Sequence, residues 1–274
     1  MKRRINQMNK IPDSIQKIEP GIIKKNYFLT VILAIVWIGF YSIIYCQPNL
    51  KNIEPISESR VIKDIPLPDG YVRKEFENDS FAEWIRSRKL KAPGTKVYLH
   101  NGELKGNQNA HYAVIDIDMI GANQQCADAV MRLRAEYLYE KKLYDKISFN
   151  FVSGFAADYK KWREGYSIKV EGNNCSWVKS NSDNTTVKSF REYLFKVFEY
   201  ASTISLKKQM VKVDSLKEIK PGDVFIVAGS PGHAVIVTDV AVKTDDPDDI
   251  IFMVAQSYMP AQDIHILKND NDET

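Results

Sequence analysis

The stretch Lys220–Val237 (Lys-Pro-Gly-Asp-Val-Phe-Ile-Val-Ala-Gly-Ser-Pro-Gly-His-Ala-Val-Ile-Val) constrains the fold more than any other part of the chain. It reads as two apolar β-strands punctuated by a Gly/Pro turn, so this end of the chain is predicted to build an antiparallel sheet. The turn delivers His233 at the start of the second strand. Well upstream, Gln124–Arg134 (Gln-Gln-Cys-Ala-Asp-Ala-Val-Met-Arg-Leu-Arg) reads as a helix opened by a lone cysteine, Cys126. A thiol at a helix start feels the positive end of the helix dipole, which favours thiolate. A histidine held on a rigid strand can take its proton. Cysteine on a helix, then histidine on a strand, is the order a thiol hydrolase needs.

Charge placement divides the chain. Lys2, Arg3, Arg4, Lys10, Lys17, Lys24 and Lys25 against Asp13 and Glu19 give residues 1–26 a net charge of +5, which leaves −2 of the overall +3 for the rest. The basic pI therefore comes from the tail and does not point to nucleic acid. No zinc-finger spacing, P-loop or dinucleotide fingerprint is present, and the sequence calls for no cofactor and no metal. Tyr27–Cys46 follows the tail without a charge. It is long enough to span a bilayer, which takes about 20 residues. Basic residues before it place the N-terminus in the cytoplasm and the main domain outside, periplasmic or at the cell surface. The alternative is a cleaved secretory signal, opposed by the length of the apolar run and the absence of small residues at its exit. Residues 47–70, with Pro48, Pro55, Pro66, Pro68 and Gly70, read as a linker. The exported domain is predicted over 71–274.

The domain is predicted to be α+β, with helices early and a strand meander late. Helices are expected from Ser80 to about Lys89, Gln124 to about Leu143, Phe155–Arg163 and Thr186–Leu206. Strands are expected at Thr95–Leu99 and Glu103–Lys105 around Asn101-Gly102, at His111–Met119, at Ile147–Val152, and as a Tyr166–Val170 and Ser176–Val178 hairpin carrying Cys175 near its tip. Four more close the chain: Asp223–Val227, His233–Val242, Ile250–Ser257 and Asp263–Leu267.

Cys126 is the candidate nucleophile and His233 the candidate base. The loop before Cys126 offers Gln124 and Gln125 as oxyanion or substrate-binding groups. Asp239 cannot orient His233, because six residues of strand separate them by about 20 Å. Gln256 is the candidate orienting group, with Ser257 and Tyr258 as neighbours, and Tyr258 stands with Gln124 and Gln125 as a candidate oxyanion or substrate-binding group. A symmetric loop at Lys243–Asp249 would set His233 opposite Met259 and turn Gln256 to the other face, unless a bulge restores the parity. Among the other histidines, His100 reads as solvated, and His111 and His265 as strand residues. Asp116 and Asp118 share one strand face and read as exposed polar positions rather than a carboxylate pair. In an oxidising compartment Cys126 and Cys175 could instead form a disulfide.

The series Gln-Cys at a helix start, Pro-Gly-Asp-Val, Gly-His-Ala-Val-Ile-Val and a polar-tipped strand resembles the CHAP and NlpC-type cell-wall amidases and peptidases. The resemblance covers Gln124–Arg134 and Lys220–Tyr258. It implies a papain-like core that cleaves amide bonds in peptidoglycan peptides, with Cys126 as nucleophile and His233 as base. Gln256 falls where CHAP proteins often carry Glu, and Tyr258 near where they often carry Asn; both depart from the pattern, as does the lack of an aromatic residue after Cys126. Over nearly the whole exported part, Trp84, Leu104–His111, Gln-Gln-Cys-Ala-Asp-Ala and Ala255–Gln262 make the chain similar to the bacterial family called domain of unknown function 4846. That likeness supports the domain limits and implies no activity; members run past the equivalent of Thr274, so this chain is expected to be cut short there. Two further readings stay open: a non-catalytic envelope domain that binds glycan, peptide or a partner protein, and a transferase that passes the same thioester to an amine.

Overall fold

The computed structural model describes residues 60–269. The basic tail, the apolar segment 27–46 and most of the linker lie outside the described residues. Among the described residues no helix is long and apolar enough to cross a membrane.

The domain is mixed α and β around an antiparallel sheet. The sheet strands are β1 (Tyr71–Arg73), β2 (His111–Val114), β7 (Val224–Val227), β8 (His233–Lys243), β9 (Ile250–Gln256) and β10 (His265–Leu267). They run in the order β1-β8-β9-β10-β2, with β7 also paired to β8. Long β8 is the axis: β7 covers its first half, β1 covers its end, and β9 follows its other edge. Its middle residues are buried on both faces, which suits a run of Val, Ile and Ala better than an alternating pattern would. The late strands therefore form the sheet as predicted, and two early segments complete it at the edges.

Among the described residues five α-helices flank the strands: α1 (Phe81–Arg86), α2 (Cys126–Glu140), α3 (Tyr159–Arg163), α4 (Val187–Tyr200) and α5 (Thr203–Gln209). The remaining strands form two hairpins, β3 (Ser148–Asn150) with β4 (Ala156–Asp158), and β5 (Tyr166–Glu171) with β6 (Asn174–Lys179). Helix α2 packs on β8 and β9. Its Leu133 and Ala135 join Phe190, Tyr193 and Leu194 of α4 and Ile236 of β8 in one core.

Several elements differ from the sequence expectation. The single helix over Thr186–Leu206 is two. Ala201 and Ser202 are extended, and the Ser202 hydroxyl accepts from the Ile204 N–H (3.1 Å), which starts α5 afresh. Phe155–Arg163 is not wholly helical, because Ala156–Asp158 pairs with β3 before α3 begins. Around Asn101-Gly102 the chain does reverse, with Gly102 at φ +84, yet only an isolated Tyr98–Leu104 bridge forms, and Leu99 pairs with Gln262 instead. The core also starts before Tyr71: Ile62 and Ile65, inside the predicted linker, are buried in it.

Candidate functional site

Cys126 is the first residue of α2, as the sequence suggested. The loop before it is fastened from below. Arg132, one turn and a half along α2 and fully buried, donates to the Asp118 carbonyl and to Gln124 Oε1 (2.5 Å). Gln124 Oε1 also accepts from the Ile120 N–H (3.1 Å), and the Gln124 carbonyl accepts from Ser257 Oγ (2.9 Å). Gly121, at φ +65, lies so close to the Phe195 ring that a Cβ would come within 2.7 Å of it. Gln124 is thus an interior brace. Its side chain is 1% exposed and its Oε1 accepts from both Arg132 and Ile120, so it is not the substrate-facing group the sequence suggested. The motif alone could not separate it from Gln125, which does face the cavity.

His233 opens β8 directly after the Gly229–Gly232 turn. A Cβ on Gly232 would run into Thr203 Oγ1 and the Gly229 carbonyl, so this glycine lets the turn sit against the start of α5. Gln256 ends β9. Residues Val240–Val242 pair with β9 in the register of a symmetric loop, which taken to the end of the strand would set His233 opposite Met259. A bulge between Val237 and Asp239 shifts the pairing by one, so that Ile236 faces Ala255 and Gln256 returns to the face of His233. The result is a contact of 2.7 Å between His233 Nε2 and Gln256 Oε1. The Tyr258 ring meets the imidazole edge-on at 5.1 Å between centroids. His233 Nδ1 is buried and has no hydrogen-bond partner among the described residues.

Cys126, Gln125, Asp128, His233, Tyr258 and Thr203 line one cavity of about 510 Å³. A larger cavity, about 610 Å³, is walled chiefly by apolar residues such as Phe81, Met131, Phe149 and Leu206. Neither a cysteine nor a histidine lines it, so the chemistry points to the smaller one. No hydrogen bond joins the Cys126 thiol to the imidazole among the described residues. Burial pushes that thiol up from its ordinary value, against backbone N–H groups of Ala234, Ala127 and Cys126 itself that pull it down. This corrects the expectation from the helix dipole: desolvation of a half-buried sulfur outweighs the helix start. Cys175 is likewise unbridged and opens onto another cavity with Ser153 and Tyr200, so no disulfide joins the two cysteines.

Asp128 adds a charge to this corner. Its Oδ2 accepts from the Gln125 N–H (2.9 Å), a capping contact, while burial pushes its carboxyl up to about 7. The folded chain therefore holds a proton that the unfolded chain releases near 4, so this group lowers stability as pH rises through that window. The Asp128 carboxylate also raises the Cys126 thiol. Asp128→Asn keeps the cap and removes the charge. Cys126 alkylation should then match the parent below pH 7 and be faster than the parent at pH 8.5, where the parent's carboxylate is ionised and raises the thiol. Equal rates at both pH values would show that the carboxylate does not reach the sulfur.

The other candidates are placed as follows. Asp239 lies in an ion pair with Arg73 and Arg86 (2.6 Å each), away from His233. Asp116 and Asp118 are exposed, and Asp118 pairs with Arg191 at 3.2 Å. His100 is exposed. Among the described residues no group of three His, Cys, Asp or Glu could hold a metal ion. The sequence missed His265. Its alternation with Ile264 and Ile266 marked only a strand, yet it is buried and pairs in register with Gln256, with 3.4 Å between its Nε2 and Gln256 Nε2.

A family model described as Domain of unknown function (4846) matches residues 61–274. The chain belongs to that family. The match begins at Val61, beside the first buried residue of the core, and takes in every residue of the cavity described above. No curated protein and no solved structure shows a match.

Proposed function

We propose that the domain is a thiol hydrolase acting on amide bonds, with cell-wall peptides as the substrate class. The observation that carries this reading is the cavity in which a helix-start cysteine lies with a histidine. That histidine has one ring nitrogen engaged by Gln256 and the other buried without a partner. With Nε2–H donated to Gln256 Oε1, Nδ1 keeps the lone pair and is the base. The Cys126 S–H proton passes to Nδ1 as sulfur bonds to the amide carbon and the carbonyl pair moves to oxygen. First-turn N–H groups of α2 and the Gln125 amide are the donors for that oxyanion. The intermediate collapses, the C–N bond breaks, and the leaving amine takes the proton from His233. Water then attacks the thioester, gives a proton to Nδ1, and frees the acid and the thiol. Because burial raises the thiol, proton transfer accompanies attack rather than preceding it.

A papain-like arrangement of the core, and an extracytoplasmic position behind a membrane segment at 27–46, belong to the same proposal. The second reading is a binding domain with a silent site, favoured by the raised thiol and the lack of a thiol–imidazole hydrogen bond. The test is amine release from peptidoglycan peptides by the full chain and by Cys126→Ala. Loss of release in the variant supports the hydrolase. Undiminished release in the variant, or none from either protein while the peptides still bind, discards it for the second reading.

A further inference from the structure

We infer that His265 is a positioning residue that fixes which way the Gln256 amide points and so selects the base nitrogen of His233; this rests on the proposed Cys126–His233 chemistry. His265 is fully buried on β10, opposite Gln256 on one side and Val114 on the other. Its Nδ1 lies 2.8 Å from the Asp263 carbonyl. A carbonyl only accepts, so Nδ1 carries the hydrogen. Burial holds the ring down at about 4, and Lys105 and His111 act in the same direction while Asp263 opposes them, so the ring is neutral at physiological pH. A neutral imidazole has one N–H, and His265 Nε2 is therefore a lone pair that needs a donor.

The group facing that lone pair, at 3.4 Å, is one end of the Gln256 amide. Only its NH₂ end can donate. That turns Oε1 toward His233, where it lies 2.7 Å from Nε2. Oxygen only accepts, so His233 Nε2 carries its hydrogen and Nδ1, the atom left buried without a partner, is unprotonated. A carboxamide can turn over at little cost in shape, and turned over it would donate to His233 Nε2 and move the hydrogen to Nδ1, the wrong tautomer for a base at that atom. A glutamate in place of Gln256 could not make this error, because both its oxygens accept. The glutamine at this position therefore requires a partner that reads its orientation, and His265 is that partner.

The experiment is nitrogen-15 NMR of the imidazoles in the full chain, together with the rate of Cys126 alkylation at pH 7 followed by mass spectrometry. In the parent, His265 is expected as the Nδ1–H form and His233 as the Nε2–H form. His265→Leu removes the acceptor: His233 should become a mixture of tautomers and alkylation should slow about tenfold, the upper end of what one lost neutral hydrogen bond is worth. In the Gln256→Glu background the His265→Leu change should leave the His233 tautomer alone. An Nε2–H form of His265 in the parent, or an unchanged His233 tautomer in His265→Leu, overturns the inference. The tautomers are read without any activity. An inert thiol in the parent would therefore end the hydrolase reading and leave the amide-orienting role standing or falling on its own spectrum.

Discussion

Replacing His233 with alanine is expected to slow iodoacetamide labelling of Cys126 at pH 7 by about 100-fold, the lower end of what a positioned base contributes. Two features of the site set this size. The thiol is raised above its ordinary value by burial, so little thiolate is present at neutral pH without help. The available help is a ring nitrogen with no other partner in a shared cavity. In His233→Ala the rate should rise with pH through the alkaline range, as for an unaided thiol raised by burial. Site-resolved mass spectrometry separates Cys126 from Cys175, which serves as an internal control because it opens onto another cavity. Equal rates in parent and variant would mean that the first-turn N–H groups of α2 alone govern the sulfur, and His233 would lose its role as base.

What could be read from the sequence was the placement of single residues on elements. Cys126 at a helix start and His233 after a Pro-Gly turn are local facts, written by turn chemistry and periodicity, and both stand. Strands β7 to β10 were legible for the same reason. Gln256 lay at the limit of such reasoning. Strand parity could state the condition, a bulge, but not whether one exists, because a bulge is held by contacts from distant parts of the chain. Other features depended wholly on those contacts. His265 becomes significant only through the β9–β10 register, and Gln124 only through Arg132 and Ser257. The break at Ser202 was visible as a good capping residue, but helical spacing on either side concealed it. That break matters for the site, since Thr203 at the start of α5 forms part of the cavity wall and leaves room only for glycine at position 232.

The bulge itself leads to the largest expected loss of stability. Asp239 sits on it, 1% exposed, and ties two elements to β8. Its Oδ2 accepts from Arg73 Nε on β1, and its Oδ1 from Arg86 Nε on α1, both at 2.6 Å. Oδ1 also accepts from the Val240 N–H at 2.9 Å, which fastens the bulged backbone. Arg73 donates onward to the Ile65 carbonyl and Arg86 to the Val240 carbonyl. With Asp239→Ala, Arg86 stays buried, its side chain 5% exposed, with only the more exposed Glu83 as a charged partner. Removing one member of a buried ion pair in this way costs about 3–5 kcal/mol. Set against a total of about 5–15 kcal/mol for a domain, the loss should move the urea midpoint far down or prevent folding outright. Asp239→Asn keeps an oxygen for the Val240 N–H and loses the charge, so it should fall between alanine and the parent. The asparagine variant carries the further consequence, because it is expected to stay folded. The bulge brings Gln256 onto the face of His233, so loosening it should weaken their contact and slow Cys126 alkylation even where the chain is fully native. A drop of less than about 1 kcal/mol in Asp239→Ala would place the pair among ion pairs that contribute little, and the bulge would then be held by the strand register alone.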